Sequence, residues 1–110
     1  MTREEIIQRI VGYCIDEAKV DCTGFWQIFS YAKHRFGAQH NSDVETTTLD
    51  IVRALLKRKF KAGDLQKEAP YFMEWPAQDI DQTLADILAK WRHLGREPKP
   101  GDICWFKLEV

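Results

Sequence analysis

Three cysteines and three histidines are the residues best suited to metal or nucleophilic chemistry, and their spacing argues against both. Cys14, Cys22 and Cys104 form no C-x-x-C pair, and His34, His40 and His93 form no H-x-x-x-H pair. Cys14, Cys22 and His34 would approach one another on antiparallel helices, yet their spacing matches no zinc class. No metal and no other cofactor is expected. No G-x-S-x-G elbow, G-x-x-x-x-G-K-[ST] loop or G-x-G-x-x-G turn occurs, so neither an activated serine nor a phosphate cradle is expected. Carboxylates are plentiful, but in a chain that is 30% charged most of them solvate the surface. An enzyme is therefore not the expectation. Cys14 and Cys104 read instead as small core residues. Of the tryptophans, Trp91 falls on a helical stripe and reads as core. Trp26 and Trp75 read as core edges, with the alternative that one is an exposed binding anchor, since tryptophan is enriched at binding hot spots.

The elements that must position these side chains follow from periodicity. Thr2 and Glu5 make a capping box. Ile7, Val11, Cys14 and Ala18 then recur at helical spacing, and Gly12 within that run reads as a close helix–helix approach. A second helix starts near Asp21 or Thr23, runs through Phe25, Phe29, Ala32 and Phe36, and stops at Gly37, with Gly37 to Asn41 as a loop. A third opens on a Ser42–Glu45 capping box. Its stripe is Val44, Thr48, Val52, Leu55, Leu56 and Phe60, and Gly63 ends it. Thr46-Thr47-Thr48 is a poor helix-forming run, because β-branching restricts χ1. Ala62–Leu65 and Tyr71–Trp75 read as the arms of a hairpin turning at Gln66-Lys67-Glu68, bracketed by Pro70 and Pro76. Asp79 caps a fourth helix through Ile80, Leu84, Ile87, Leu88, Trp91 and Leu94, closed by Gly95 and Pro98. Ile103–Glu109 reads as a strand that sends Trp105 and Phe106 to opposite faces. The order is three helices, a β-hairpin, a fourth helix and a C-terminal strand able to join the hairpin. That is an α+β chain, mainly helical, with a winged-helix-like order.

A length of 110 residues suits a single globular domain, 1–110. Its net charge of −1 argues against a general nucleic-acid or anionic-membrane binder. No apolar run approaches the roughly 20 residues of a membrane span. The polar, acidic start is unlike a signal peptide, and an odd number of cysteines suits free thiols in a reducing cytoplasm. The near-neutral total conceals poles. Residues 51–63 hold Arg53, Lys57, Arg58, Lys59 and Lys61 and no acid. Residues 64–86 hold Asp64, Glu68, Glu74, Asp79, Asp81 and Asp86 against Lys67 alone. Helix-dipole complementarity accounts for part of this layout. The remainder reads as an electrostatic docking face made of Asp64, Glu68, Glu74, Asp79 and Asp81, with Trp75 as its anchor. The opposing reading puts duplex DNA on the basic end of the third helix. Against it, Asp43, Glu45 and Asp50 stand at that helix's start, where base-reading residues would lie.

Four stretches carry a family resemblance over residues 49–107. They are Ala62-Gly63-Asp64-Leu65, Phe72-Met73-Glu74-Trp75, Trp91-Arg92-His93-Leu94-Gly95-Arg96-Glu97-Pro98 and Gly101-Asp102-Ile103-Cys104-Trp105-Phe106. Together they resemble small bacterial proteins placed among the immunity proteins of polymorphic toxin and contact-dependent growth-inhibition systems. The resemblance implies a cytoplasmic protein that binds one cognate toxin domain, and it brings no catalytic residues. The acidic segment would suit the basic cleft of a nuclease toxin, by steric and electrostatic occlusion. The alternative function is a winged-helix transcriptional regulator.

Overall fold

The computed structural model describes residues 2–18, 22–36, 44–76 and 79–108. Among these residues, four helices and four strands follow the order α1 (Arg3–Ala18), β1 (Thr23–Gly24), α2 (Phe25–Phe36), α3 (Val44–Lys57), β2 (Phe60–Leu65), β3 (Phe72–Glu74), α4 (Ile80–Leu94) and β4 (Trp105–Leu108). The fold is α+β and mainly helical. The helices pack on one face of a four-stranded antiparallel sheet of order β1-β4-β2-β3. The C-terminal strand does join the hairpin: Phe60, Lys61, Ala62 and Gly63 of β2 stand opposite Leu108, Lys107, Phe106 and Trp105.

The helix ends follow local chemistry. Thr2 Oγ1 accepts the Glu5 backbone N–H at 3.1 Å, which starts α1. Asp79 Oδ1 accepts the Gln82 N–H at 2.7 Å, and Gly95, at φ 70°, ends α4 in the left-handed conformation. In the core, Ile10 and Cys14 of α1, Phe25 and Ile28 of α2, and Ile51 and Leu55 of α3 meet Phe60 and Phe106 of the sheet and Ile87 of α4. Central to this packing is α3, which touches α1, α2, α4 and β2. That burial overrides its threonine run. Thr47 and Thr48 are fully buried, Thr47 Oγ1 accepts from Arg3 at 3.2 Å, and Thr48 Oγ1 donates to the Val44 carbonyl at 2.7 Å.

Four local expectations change. Thr23 does not cap α2. It lies in β1 opposite Phe106, and α2 begins at Phe25 with Gln27 Oε1 accepting the Gly24 N–H at 2.9 Å. Gly63 does not end α3, which stops at Lys57. The chain reverses through Lys59 at φ 69°, so Phe60 opens β2 and Gly63 lies inside that strand. Gly12 marks no close approach, since a Cβ there would meet nothing within 4 Å. Ile103 precedes β4 in the left-handed region, and the strand begins at Trp105. Asp21, Gly37 to Asn41, Ser42, Asp43 and Glu109 lie outside the described residues.

Candidate partner-binding wing

The β2–β3 hairpin projects as a wing whose connecting loop is held by one side chain. Gln66 receives the Tyr71 register through its backbone N–H, which donates to the Tyr71 carbonyl at 2.8 Å. Its Nε2 donates to the Glu68 carbonyl at 3.1 Å and to the Pro70 carbonyl at 2.5 Å. Hydrogen bonds across six residues give the loop a defined shape without an apolar core of its own.

The structure places the expected site residues in different roles. Asp64 and Trp75 form a pair, with the indole Nε1 donating to Asp64 Oδ2 at 3.1 Å. Lys90 of α4 stands 5.4 Å from the Trp75 ring centroid. Trp75 is half-buried and packs on the core, so its ring is held from two sides. Glu74 Oε1 lies 3.9 Å from Lys61 Nζ, and Asp81 Oδ1 accepts from Arg53 Nη1 at 3.0 Å. Asp79 is the α4 cap. Glu68 sits exposed in the wing loop. The acidic stretch and the basic stretch before it therefore fold against each other. Much of the apparent bipolarity is short-range pairing. Asp64, Glu68 and Glu74 lie on the wing, while Asp79 caps α4 and Asp81 pairs with Arg53 of α3.

Lys61, Glu74, Trp75, Leu56, Ile80 and Thr83 border a cavity of about 170 Å³ between the wing's base and the start of α4. Two carboxylates of α3 are engaged as well: Asp50, at mid-helix, with Arg3 at 2.7 Å and Glu45, in the first turn, with Arg92 at 3.5 Å.

Apolar exposure is what charge counting missed. Four large apolar side chains stand exposed among the described residues, and three are on the wing: Leu65 (41%), Tyr71 (64%) and Met73 (45%). The sequence holds the signal. Tyr71, Met73 and Trp75 alternate along β3, and β3 is an edge strand of only three residues. Trp75 reaches the core, and the two residues before it on the same face do not. Met73, opposite Asp64, and Leu65, opposite Phe72, lie on the two faces of the hairpin. The wing thus presents apolar side chains on both faces beside Asp64, Glu68 and Glu74, the composition of a protein-docking element with a polar rim.

Cys14 and Cys104 are both buried, as their small-core reading expects. Burial pushes the Cys14 thiol up to about 12, with Glu17 adding to the effect. Burial pushes Cys104 up as well, Asp64 reinforcing and Lys90 opposing. Both groups are held as neutral thiols, the form unsuited to nucleophilic attack or metal ligation. No helix among the described residues is long and apolar enough to cross a membrane.

Compared with protein-family models, with curated proteins and with solved structures, the chain matches none.

Proposed function

We propose that this protein is a non-catalytic binding protein of the immunity type, which neutralises a toxin domain in the cytoplasm by docking its β2–β3 wing into the partner. The carrying observation is the exposed trio Leu65, Tyr71 and Met73 on a hydrogen-bonded wing rimmed by Asp64, Glu68 and Glu74. A preordered loop with an aromatic and a methionine at its surface loses little freedom on binding, which favours tight association. The acidic rim favours a basic partner surface, such as the cleft of a nuclease, and speeds encounter with it. The toxin itself rests on the family resemblance.

The experiment is affinity capture from native cells with wild type and with the double variant Tyr71→Ala/Met73→Ala, followed by co-expression with the captured partner. The expected result is one stoichiometric basic protein, lost with the variant, whose toxicity is relieved by wild type alone. A captured partner that is harmless, or that the double variant retains and neutralises equally well, overturns the reading.

The regulator reading has less support. DNA on α3 would need its exposed strip, yet Arg53 is engaged by Asp81 and Arg92 of α4 reaches Glu45 across the same face.

A further inference from the structure

The sheet has a second face, turned away from the helices. In an antiparallel sheet directly opposed residues share a face, and successive residues alternate. Gly24 of β1, Trp105 of β4, Gly63 of β2 and Glu74 of β3 thus form one row across all four strands. Thr23, Phe106 and Ala62 form the neighbouring row on the core side, where all three are buried. Both glycines of the outer row are overlain by aromatic rings. A Cβ on Gly24 would stand 2.8 Å from Trp26 Cδ1 and 3.3 Å from Trp105 Cζ3, and one on Gly63 would stand 2.6 Å from Phe72 Cζ. Trp26 and Trp105 therefore flank Gly24, and Phe72 reaches over Gly63. All three are half-buried, and none belongs to the core cluster.

Polar groups complete the surface. Lys107 Nζ stands 5.9 Å from the Phe72 ring centroid, and Lys107 is directly opposite Lys61. Like charges directly opposed in a sheet are unfavourable unless something offsets them. Glu74 offsets part of the Lys61 charge, at 3.9 Å. Beside the row, the buried Nε1 of Trp26 has no hydrogen-bond partner among the described residues.

We propose that this outer face binds single-stranded nucleic acid, with bases stacked on Trp105 and Phe72 and the backbone phosphate held by Lys107 and Lys61. The rings supply the sequence-tolerant stacking that such strands use, and the lysines supply the charge. An acidic peptide would satisfy the lysines but would leave the rings without planar partners. Lys107 is the principal cation, because Glu74 draws on Lys61. Tyr71 and Met73 alternate to the other side of β3, whereas Leu65 lies opposite Phe72 on this outer face, so the two surfaces adjoin on the wing. Trp105 and Lys107 of β4 belong to the outer face alone and keep the two readings separable.

The test is fluorescence anisotropy of labelled oligothymidylate and oligouridylate, about ten nucleotides long, with the full chain in about 50 mM salt. Saturable binding is expected, weakening as salt rises. Lys107→Glu and Phe72→Leu should each lower affinity about tenfold while the thermal melt stays unchanged. Trp105→Leu should do the same, and Phe72→Leu keeps the test valid if Trp105→Leu fails to fold. Absence of binding to either oligonucleotide overturns the proposal. So does binding that the variants leave unchanged, or that polyglutamate displaces as readily as unlabelled oligonucleotide.

Discussion

Arg53 Nη1 donates to Asp81 Oδ1 at 3.0 Å, and this bond joins the basic end of α3 to the acidic start of α4. Two sequence segments of opposite charge are thereby neighbours in space. Both partners are exposed, so solvent and salt screen the pair and its net contribution is below about 1 kcal/mol. A double-mutant cycle of Arg53→Ala and Asp81→Ala should give a coupling of that size, shrinking at high salt. A coupling of several kcal/mol would show that the contact organises the α3–α4 packing. Partner binding should be insensitive to Asp81→Ala, whereas Glu68→Lys, on the wing loop, should slow association.

Most of the fold was legible because the helices declare themselves locally. The α4 boundaries were readable to the residue, since Asp79 and Gly95 stop the helix by their own side-chain and backbone chemistry. β1 was not legible. Thr23 and Gly24 become a strand only because Phe106 and Trp105 arrive from the far end of the chain to pair with them, and two residues carry no periodicity. The Lys59 turn was hidden for a related reason: a lysine at positive φ is imposed by the α3–β2 connection and has no local signature. At the candidate site, charge was legible as composition and misleading as geometry. Asp79 reads in the sequence both as the α4 cap and as part of a docking face, and the fold shows it as the cap; Asp81 counts as docking charge, yet the fold pairs it with Arg53. The wing's apolar side chains were visible as residues. Their exposure depended on β3 lying at the sheet edge.

Gly63 and Gly12 should respond oppositely to alanine. At Gly63 the new Cβ would press on Phe72 Cζ at 2.6 Å and on the Met73 carbonyl, which belongs to backbone and cannot move aside cheaply. Overpacking of this kind costs about 1–3 kcal/mol. At Gly12, inside α1, the Cβ enters open space, and the helix gains up to about 1 kcal/mol from reduced backbone entropy. Thermal melts of Gly63→Ala and Gly12→Ala should move in opposite directions. A stabilised Gly63→Ala would contradict the contact with Phe72 and with it the placing of that ring over the outer sheet face.

Cys14 and Cys104 should be inert in the folded protein. Thiolate is the reactive form, and burial holds both groups as thiols, with Cys14 at about 12. In a Cys22→Ser background, a thiol-specific disulfide reagent at about pH 8 should find neither group until the chain unfolds. Two equivalents should then appear in denaturant. Rapid native labelling of either cysteine would mean that the α1 or β4 packing opens far below the global unfolding free energy.

Asp102 should make stability fall in acid. The Arg96 guanidinium, donating from Nη1 at 2.7 Å and Nη2 at 3.4 Å, holds the Asp102 carboxyl below the usual carboxylate range, and the Lys99 backbone N–H at 2.8 Å adds to this. A folded-state value below the unfolded one means that the folded chain resists binding that proton. The resulting stability is fully present above the unfolded value of about 4 and is lost as pH falls through the lower folded value. Asp102→Asn removes the titration while keeping an acceptor for Lys99. The melting-temperature gap between wild type and Asp102→Asn should be widest near neutral pH and should close progressively below about pH 4. The raised Arg96 value has no bearing in this range, because the guanidinium stays charged throughout. A gap that stays constant down to about pH 2 would show that Asp102 holds the 99–102 turn by its shape and hydrogen bonds alone, with no contribution from its charge.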